Sequence, residues 1–177
     1  MLQNLLQSTK PLAMSTWVGE VRNVAREMDW PGITMDDRLT FRGDALELLT
    51  EYLMKAMPLS ANQGLLEYKI VPVRMDYGVD ATGTKNGIKI VVQCKFRSNP
   101  LDLVHYADLA RTFTQGVLMH GLVPKTKKSL WLVTTANDAN HVCKEVLGGM
   151  LHVLGMSHLK KSLDGNKDFW QGLDASI

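Results

Sequence analysis

The chain has only two cysteines, Cys94 and Cys143, in 177 residues. That is too few for a disulfide framework, and a reducing compartment is the simpler expectation. No apolar run approaches the roughly 20 residues that a membrane-crossing helix needs. Residues 1–10 are mildly amphipathic and lack the apolar core of a secretory signal. A cytoplasmic protein is therefore expected. The five histidines show no metal-ligand spacing, and His141-Val142-Cys143 is too sparse for zinc. No phosphate-binding Walker loop, GxSxG elbow or dinucleotide fingerprint occurs, which excludes the commonest nucleotide and hydrolase signatures. Charge of one sign is also scarce. The net of +2 neither requires nor forbids a polyanionic partner, because a binding face depends on where the charge sits.

What is present is an ordinary globular composition, 45% hydrophobic and 21% charged, in a chain long enough to bury a core. Helical periodicity covers residues 13–28, with Ser15 or Thr16 as cap, and a segment from Asp36 or Gly43 to Met57. Strands follow at 66–73 and 79–82, with a turn at Asp76-Tyr77-Gly78 between them and another over 83–87. Residues 88–96 form a near-continuous apolar run, the mark of a strand covered on both faces. A helix is read over 101–120, a strand over 130–134, and a helix over 139–147 capped by Asn137 or Asp138. A short strand over 151–154 and a helical tail over 157–173 complete the chain. The order implies a mixed sheet flanked by helices, an α/β class. We read one domain over 1–177, with a core of about 40–148, an N-terminal helical extension over 1–35 and a helical tail over 149–177.

The chemistry concentrates in Gly78-Val79-Asp80 and, after twelve intervening residues, Gln93-Cys94-Lys95. Phosphodiester hydrolysis uses a divalent cation, an activated water and help for the leaving oxygen. Magnesium takes oxygen ligands and keeps several waters, so two or three protein oxygens suffice. Asp80 and Gln93 can supply them from adjoining strands. Strand alternation puts Gln93 and Lys95 on one face and Cys94 on the other. The Lys95 ammonium can then orient water or stabilise developing negative charge.

These residues resemble the PD-(D/E)xK nuclease superfamily, and within it the Mrr-like restriction endonuclease branch, in which Gln-x-Lys often replaces Glu-x-Lys. Gln93-Cys94-Lys95-Phe96 also resembles nuclease domains attached to helicase-like restriction enzymes. The likeness spans about residues 40–148. It implies a restriction-endonuclease-like fold with a mixed central sheet, and a Mg²⁺-dependent DNA endonuclease in which Mn²⁺ can substitute. It also implies that Glu47, in Gly43-Asp44-Ala45-Leu46-Glu47, is the helix carboxylate, with Glu51 one turn on as the alternative. Leu130 to Thr135 matches the later core strand. Asp80, Gln93, Lys95 and Glu47 are then the catalytic set. Asp80, Gln93, Glu47 and the backbone carbonyl of Cys94 are the metal ligands. Gln93 is neutral, which removes one negative charge relative to the Glu form.

Such a chain, with no helicase or methyltransferase segment, is expected to cut double-stranded DNA as a free-standing homing or phage-type enzyme. One site per chain favours a homodimer or higher symmetric oligomer. A branched-DNA resolvase of the same fold and a non-catalytic DNA-binding module are the alternatives. Arg97, Ser98, Gln115, Lys125, Lys127 and Lys128 are the candidate DNA contacts, with Lys160 and Lys161 a further basic patch. Asp76 is read as a turn residue. Glu67-Tyr68-Lys69 has the letters of a Glu-x-Lys motif, but no acid-bearing strand precedes it.

Overall fold

The computed structural model describes residues 13–56, 64–72 and 78–176. Helices α1 (Met14–Glu27) and α2 (Met35–Ala56) precede strands β1 (Leu66–Ile70), β2 (Ala81–Lys85) and β3 (Ile88–Lys95). Then come α3 (Tyr106–Met119), β4 (Leu130–Thr134), α4 (His141–Leu147), a 3-10 turn at Gly148–Met150, β5 (Leu151–Leu154), α5 (Met156–Leu163) and α6 (Lys167–Ser176). The five strands lie in the order β1-β2-β3-β4-β5. The β1–β2 and β2–β3 pairs are antiparallel, whereas β3–β4 and β4–β5 are parallel. The chain is thus mixed α/β, with a mixed sheet and flanking helices.

The apolar run of β3 is continuous because it serves two cores. Ile90, Val92 and Cys94 join Trp131 and Val133 in a cluster with α1, α2, α5 and α6. Val91 joins Leu130 and Leu132 in a second cluster with α3 and α4. Alternate side chains of a strand point to opposite faces, so a strand covered on both sides has no polar face to show. The N-terminal extension joins the first cluster through Met14 and Trp17, and the tail joins it through Phe169 and Trp170 while its Met150 belongs to the second.

Several boundaries differ from expectation, each for a local reason. The second strand was expected over 79–82, with a turn over 83–87. Instead β2 continues to Lys85, which pairs with Ile88. The hairpin turn is only Asn86-Gly87, both left-handed with φ of 51° and 73°. An Asn-Gly pair suits a two-residue loop whose twist matches the strands. Helix α3 begins at Tyr106 rather than near residue 101. Val104 bridges to Ala139, and the His105 amide donates to Asp108 Oδ2 at 3.1 Å, so the preceding residues are engaged elsewhere. Helix α4 is capped by Asn140, whose Oδ1 accepts from the Cys143 amide at 3.1 Å, rather than by Asn137 or Asp138. Neither Ser15 nor Thr16 caps α1. The Met14 amide donates to Asp164 Oδ1 at 2.8 Å, a partner that only the folded chain supplies. The first strand ends at Ile70. Val73 and the expected turn at Asp76-Tyr77 lie outside the described residues.

One tight approach joins the last strand to the sheet. A Cβ added to Gly155 would lie 2.2 Å from the Asn137 carbonyl oxygen and 2.9 Å from its carbon. The Gly155 φ and ψ of −81° and 178° suit any residue, so the demand for glycine is purely steric. Gly155→Ala must push the backbone apart. It is expected to lower unfolding free energy by about 1–3 kcal/mol, read as a lower urea midpoint at unchanged slope. A wild-type midpoint would refute the close approach.

Candidate active site

Asp80 immediately precedes β2, and its amide donates to Val92 O at 2.9 Å. The Ala81–Val92 pair is the last in the β2–β3 register, and one step further sets Asp80 across from Gln93. There the carboxylate closes on the neighbouring strand. Asp80 Oδ2 accepts from Gln93 Nε2 at 2.6 Å and from the Cys94 amide at 2.5 Å.

Gln93 is only 3% exposed and sits under α3. Its carboxamide nitrogen also reaches Cys94 O, at 3.2 Å. Its oxygen meets Thr112 of α3. Thr112 Oγ1 lies 2.5 Å from Gln93 Oε1 and 2.5 Å from Gly78 O. A hydroxyl has one proton, so Thr112 donates to one of these oxygens and not to both. When the amide nitrogen faces Asp80, two acceptor oxygens therefore compete for the single Thr112 proton.

Cys94 points the other way, as alternation requires. Its thiol donates to Thr50 Oγ1 at 3.4 Å, and Thr50 passes its own proton to Leu46 O at 2.7 Å. Burial pushes the Cys94 thiol well up, Asp80 adds to that, and the Thr50 contact opposes it.

A cleft of about 560 Å³ opens at this end of the sheet, where Glu47 and Arg42 of α2 meet Asp80, Gln93, Cys94 and Lys95. Arg97 and Ser98 also line it. The Arg97 guanidinium is held by Asp108 at 2.7 Å, and Arg42 Nη1 donates to Ser98 Oγ at 2.6 Å. Both cations are thus fixed at the rim. Of the two candidate helix carboxylates, Glu47 lines the cleft, whereas Glu51 forms an ion pair with Lys55 one turn along α2. The charges of Asp80, Glu47 and Glu51 share one neighbourhood. The half-buried Tyr68 phenol is raised far above its ordinary range, first by burial and then by Cys94, Glu51, Asp80 and Glu47.

The structure therefore brings Asp80, Gln93, Cys94, Lys95, Glu47, Arg97 and Ser98 together. Gln115 of α3 does not line the cleft. Lys127 and Lys128 line a different one at the far end of the sheet, and Lys125 is in the same loop. Glu67 and Lys69 are exposed on edge strand β1, where a register shift and the left-handed Glu67 (φ 51°) mark a bulge. Asp76 lies outside the described residues. Three contributors were not foreseen: Arg42, Tyr68 and Thr112. Only Thr112 left a signal, a polar residue within the buried Leu109-Thr112-Gly116 stripe of α3.

Among the described residues, no group of three or more His, Cys, Asp or Glu side chains is placed to hold a metal ion. The cleft instead gathers the carboxylates of Asp80 and Glu47, one carboxamide and one main-chain carbonyl. These are all hard oxygen donors of the type magnesium accepts. Comparison with protein-family models, with curated proteins and with solved structures finds no match for this chain. No helix among the described residues is long and apolar enough to cross a membrane.

The thiols give a direct check on this packing. Both Cys94 and Cys143 are buried, and burial raises both, so neither offers an accessible thiolate. A colorimetric disulfide reagent is expected to leave the native protein unlabelled and to label both cysteines in denaturant. Rapid native labelling at Cys94 would mean that the β3–α2 contact is open.

Proposed function

We propose that this chain is a magnesium-dependent DNA endonuclease with a restriction-endonuclease-like fold, of the Mrr-like PD-(D/E)xK kind. The observation that carries the reading is the closure of Asp80 onto the Gln93-Cys94 edge, in a cleft that Lys95 and Glu47 also line. An acid, an amide and a lysine from two paired strands, with a helix carboxylate beside them, form the donor set that phosphodiester hydrolysis needs. Magnesium bound there supplies Lewis acidity toward the phosphate. Asp80, Glu47, the Cys94 carbonyl and the Gln93 carboxamide oxygen are the proposed holders. Lys95 orients water or balances the negative charge that builds on the phosphoryl oxygens. Arg97 and Ser98 at the rim are the proposed contacts to neighbouring phosphates. Cutting both strands of a duplex calls for two copies of the site, hence a symmetric oligomer.

Gln93 must turn over to take its part. With the carboxamide reversed, Oε1 lies on the Asp80 side, where a cation offsets the repulsion between the two oxygens. Nε2 then faces Thr112, which can accept from it while donating to Gly78 O. The reversed arrangement removes the competition of two acceptors for the Thr112 proton. Thr112 thus supports the oxygen-forward Gln93, with no contact of its own to the phosphate.

Incubation of the full chain with pooled genomic DNA and Mg²⁺, followed by sequencing of the ends, tests the reading. Cleavage is expected, and Asp80→Ala and Lys95→Ala should each reduce it by about 100-fold or more. No cleavage of any DNA form with Mg²⁺ or Mn²⁺ would sink the proposal. Cleavage confined to branched substrates would redirect it to a junction resolvase.

Thr112→Val keeps the shape of the side chain and removes the hydroxyl. The loss of one hydrogen bond, about 1.4 kcal/mol, is expected to raise the Mg²⁺ concentration for half-maximal cleavage roughly tenfold, and Thr112→Ser should restore it. An unchanged Mg²⁺ dependence in Thr112→Val would exclude this role.

A further inference from the structure

The opposite end of the sheet holds a second cleft, of about 520 Å³, which shares no residue with the first. Lys85 from the end of β2, Lys127 and Lys128 from the loop before β4, and His152 of β5 line it around Ile88 and Trp131. The seven steps along β3 from Ile88 to Lys95 put the two clefts roughly 23 Å apart, at about 3.3 Å per residue. Among the described residues, no carboxylate lines this second cleft.

Its cations are arranged in an unusual way. Lys85 is partly exposed as a residue, yet its Nζ atom is buried and has no hydrogen-bond partner among the described residues. That ammonium lies 5.2 Å from the centre of the Trp131 ring, a contact that offsets only part of the cost of burying a charge. The indole N–H is already given to Lys128 O at 2.8 Å. The His152 ring meets Trp131 edge-on, with centroids 4.8 Å apart. A buried ammonium without an anion is costly, and three lysines around one cavity repel one another. Burial and Lys128 accordingly push the Lys85 amine below its ordinary range.

We propose that this cleft binds a phosphate group, carried either by a nucleic-acid backbone or by a free phosphate-bearing small molecule. Phosphate fits better than carboxylate. It brings up to two negative charges and at least two strong acceptor oxygens to three ammonium donors. Ile88 and Trp131 wall the site with apolar surface, which strengthens the attraction by excluding water. Lys85 makes the inner contact, and Lys127 and Lys128 close over the group from the loop. The proposal goes beyond the nuclease reading and does not depend on it.

His152 is the built-in reporter. Burial foremost, then the charges of Lys128, His158 and Lys85, hold its pKa down to about 4. A phosphate in the cleft counters those charges and must raise it. The test follows the His152 ring of the full-length protein by NMR through a pH titration with chelator present, so that no cleavage occurs. Parallel samples contain inorganic pyrophosphate, a short DNA duplex, or acetate.

Pyrophosphate or duplex is expected to raise the His152 midpoint by about one unit or more, the usual effect of a nearby opposite charge. Acetate should have a smaller effect. A shift with pyrophosphate identifies a small-molecule phosphate as sufficient. A shift with duplex alone identifies a backbone phosphate. Lys85→Met and, on the exposed loop, Lys128→Gln should each diminish the shift. No shift with either phosphate source, an equal shift with acetate, or undiminished shifts in both variants would overturn the proposal. Repeating the titration on Asp80→Ala separates the result from the first cleft, because the second should respond there unchanged.

Discussion

The arrangement of the cleft at the C-terminal end of β3 depends on one carboxylate. Asp80 Oδ2 takes two N–H donors from the edge of β3, one from a side chain and one from the main chain. That contact locks the open end of the β2–β3 hairpin, as Asn86-Gly87 locks the closed end. Between the two locks the register has no freedom. A slip of one residue would turn every β3 side chain to the opposite face. Gln93 would leave Thr112 for the α2 side, and Cys94 would leave its place between Thr50 and the core. The same carboxylate that lines the cleft is therefore also a structural element.

Much of this was legible in the sequence, and the pattern of misses is physical. Strands β4 and β5 fall over the residues read from the chain, because a short apolar run between turn signals has few ways to fold. The grouping of Asp80, Gln93 and Lys95 was also legible, since strand alternation is a local rule, whereas Glu47 came from the family resemblance and not from any local rule. The misses are contacts between residues distant in the chain. Asp164 capping α1 from 150 residues away leaves no local trace. The Val104–Ala139 bridge, which delays the start of α3, leaves none either. Gly83-Thr84-Lys85 looked like a turn because of its glycine, but Gly83 is a strand residue packed against Leu65. The loop lysines were read as DNA contacts from their charge, and their place at the other end of the sheet from Asp80 follows from strand direction, which the charge pattern does not carry.

The parallel pairing of β3, β4 and β5 gives the molecule two chemically unlike ends. At the C-terminal end of β3, where ligand sites commonly form in such sheets, acids and cations are matched. Glu47 and Asp80 sit with Lys95, and Asp108 holds Arg97. At the N-terminal end no carboxylate among the described residues lines the cleft beside the cations, and burial with the neighbouring charges holds His152 neutral there. A net charge of only +2 therefore hides a strong local positive field. For a polyanion longer than the gap between the clefts, the two ends can act in series, one where chemistry is possible and the other holding a distant phosphate.

Cys94 shows how closely core and site are interwoven. Two residues of one strand that face a cleft on the same side must be separated by one that faces away, so position 94 is a core position by geometry. It must be small enough to fit against Leu46 and Thr50, and apolar enough for an environment that excludes water. A cysteine meets both needs as a small hydrophobe, and its buried thiol, raised by its surroundings, stays protonated. Its main chain does the opposite work, since its amide fixes Asp80 and its carbonyl faces the Gln93 amide. A bulkier residue at 94 would push β3 away from α2 and carry Gln93 and Lys95 with it. The side chain that never reaches the cleft thus controls the positions of the two that do.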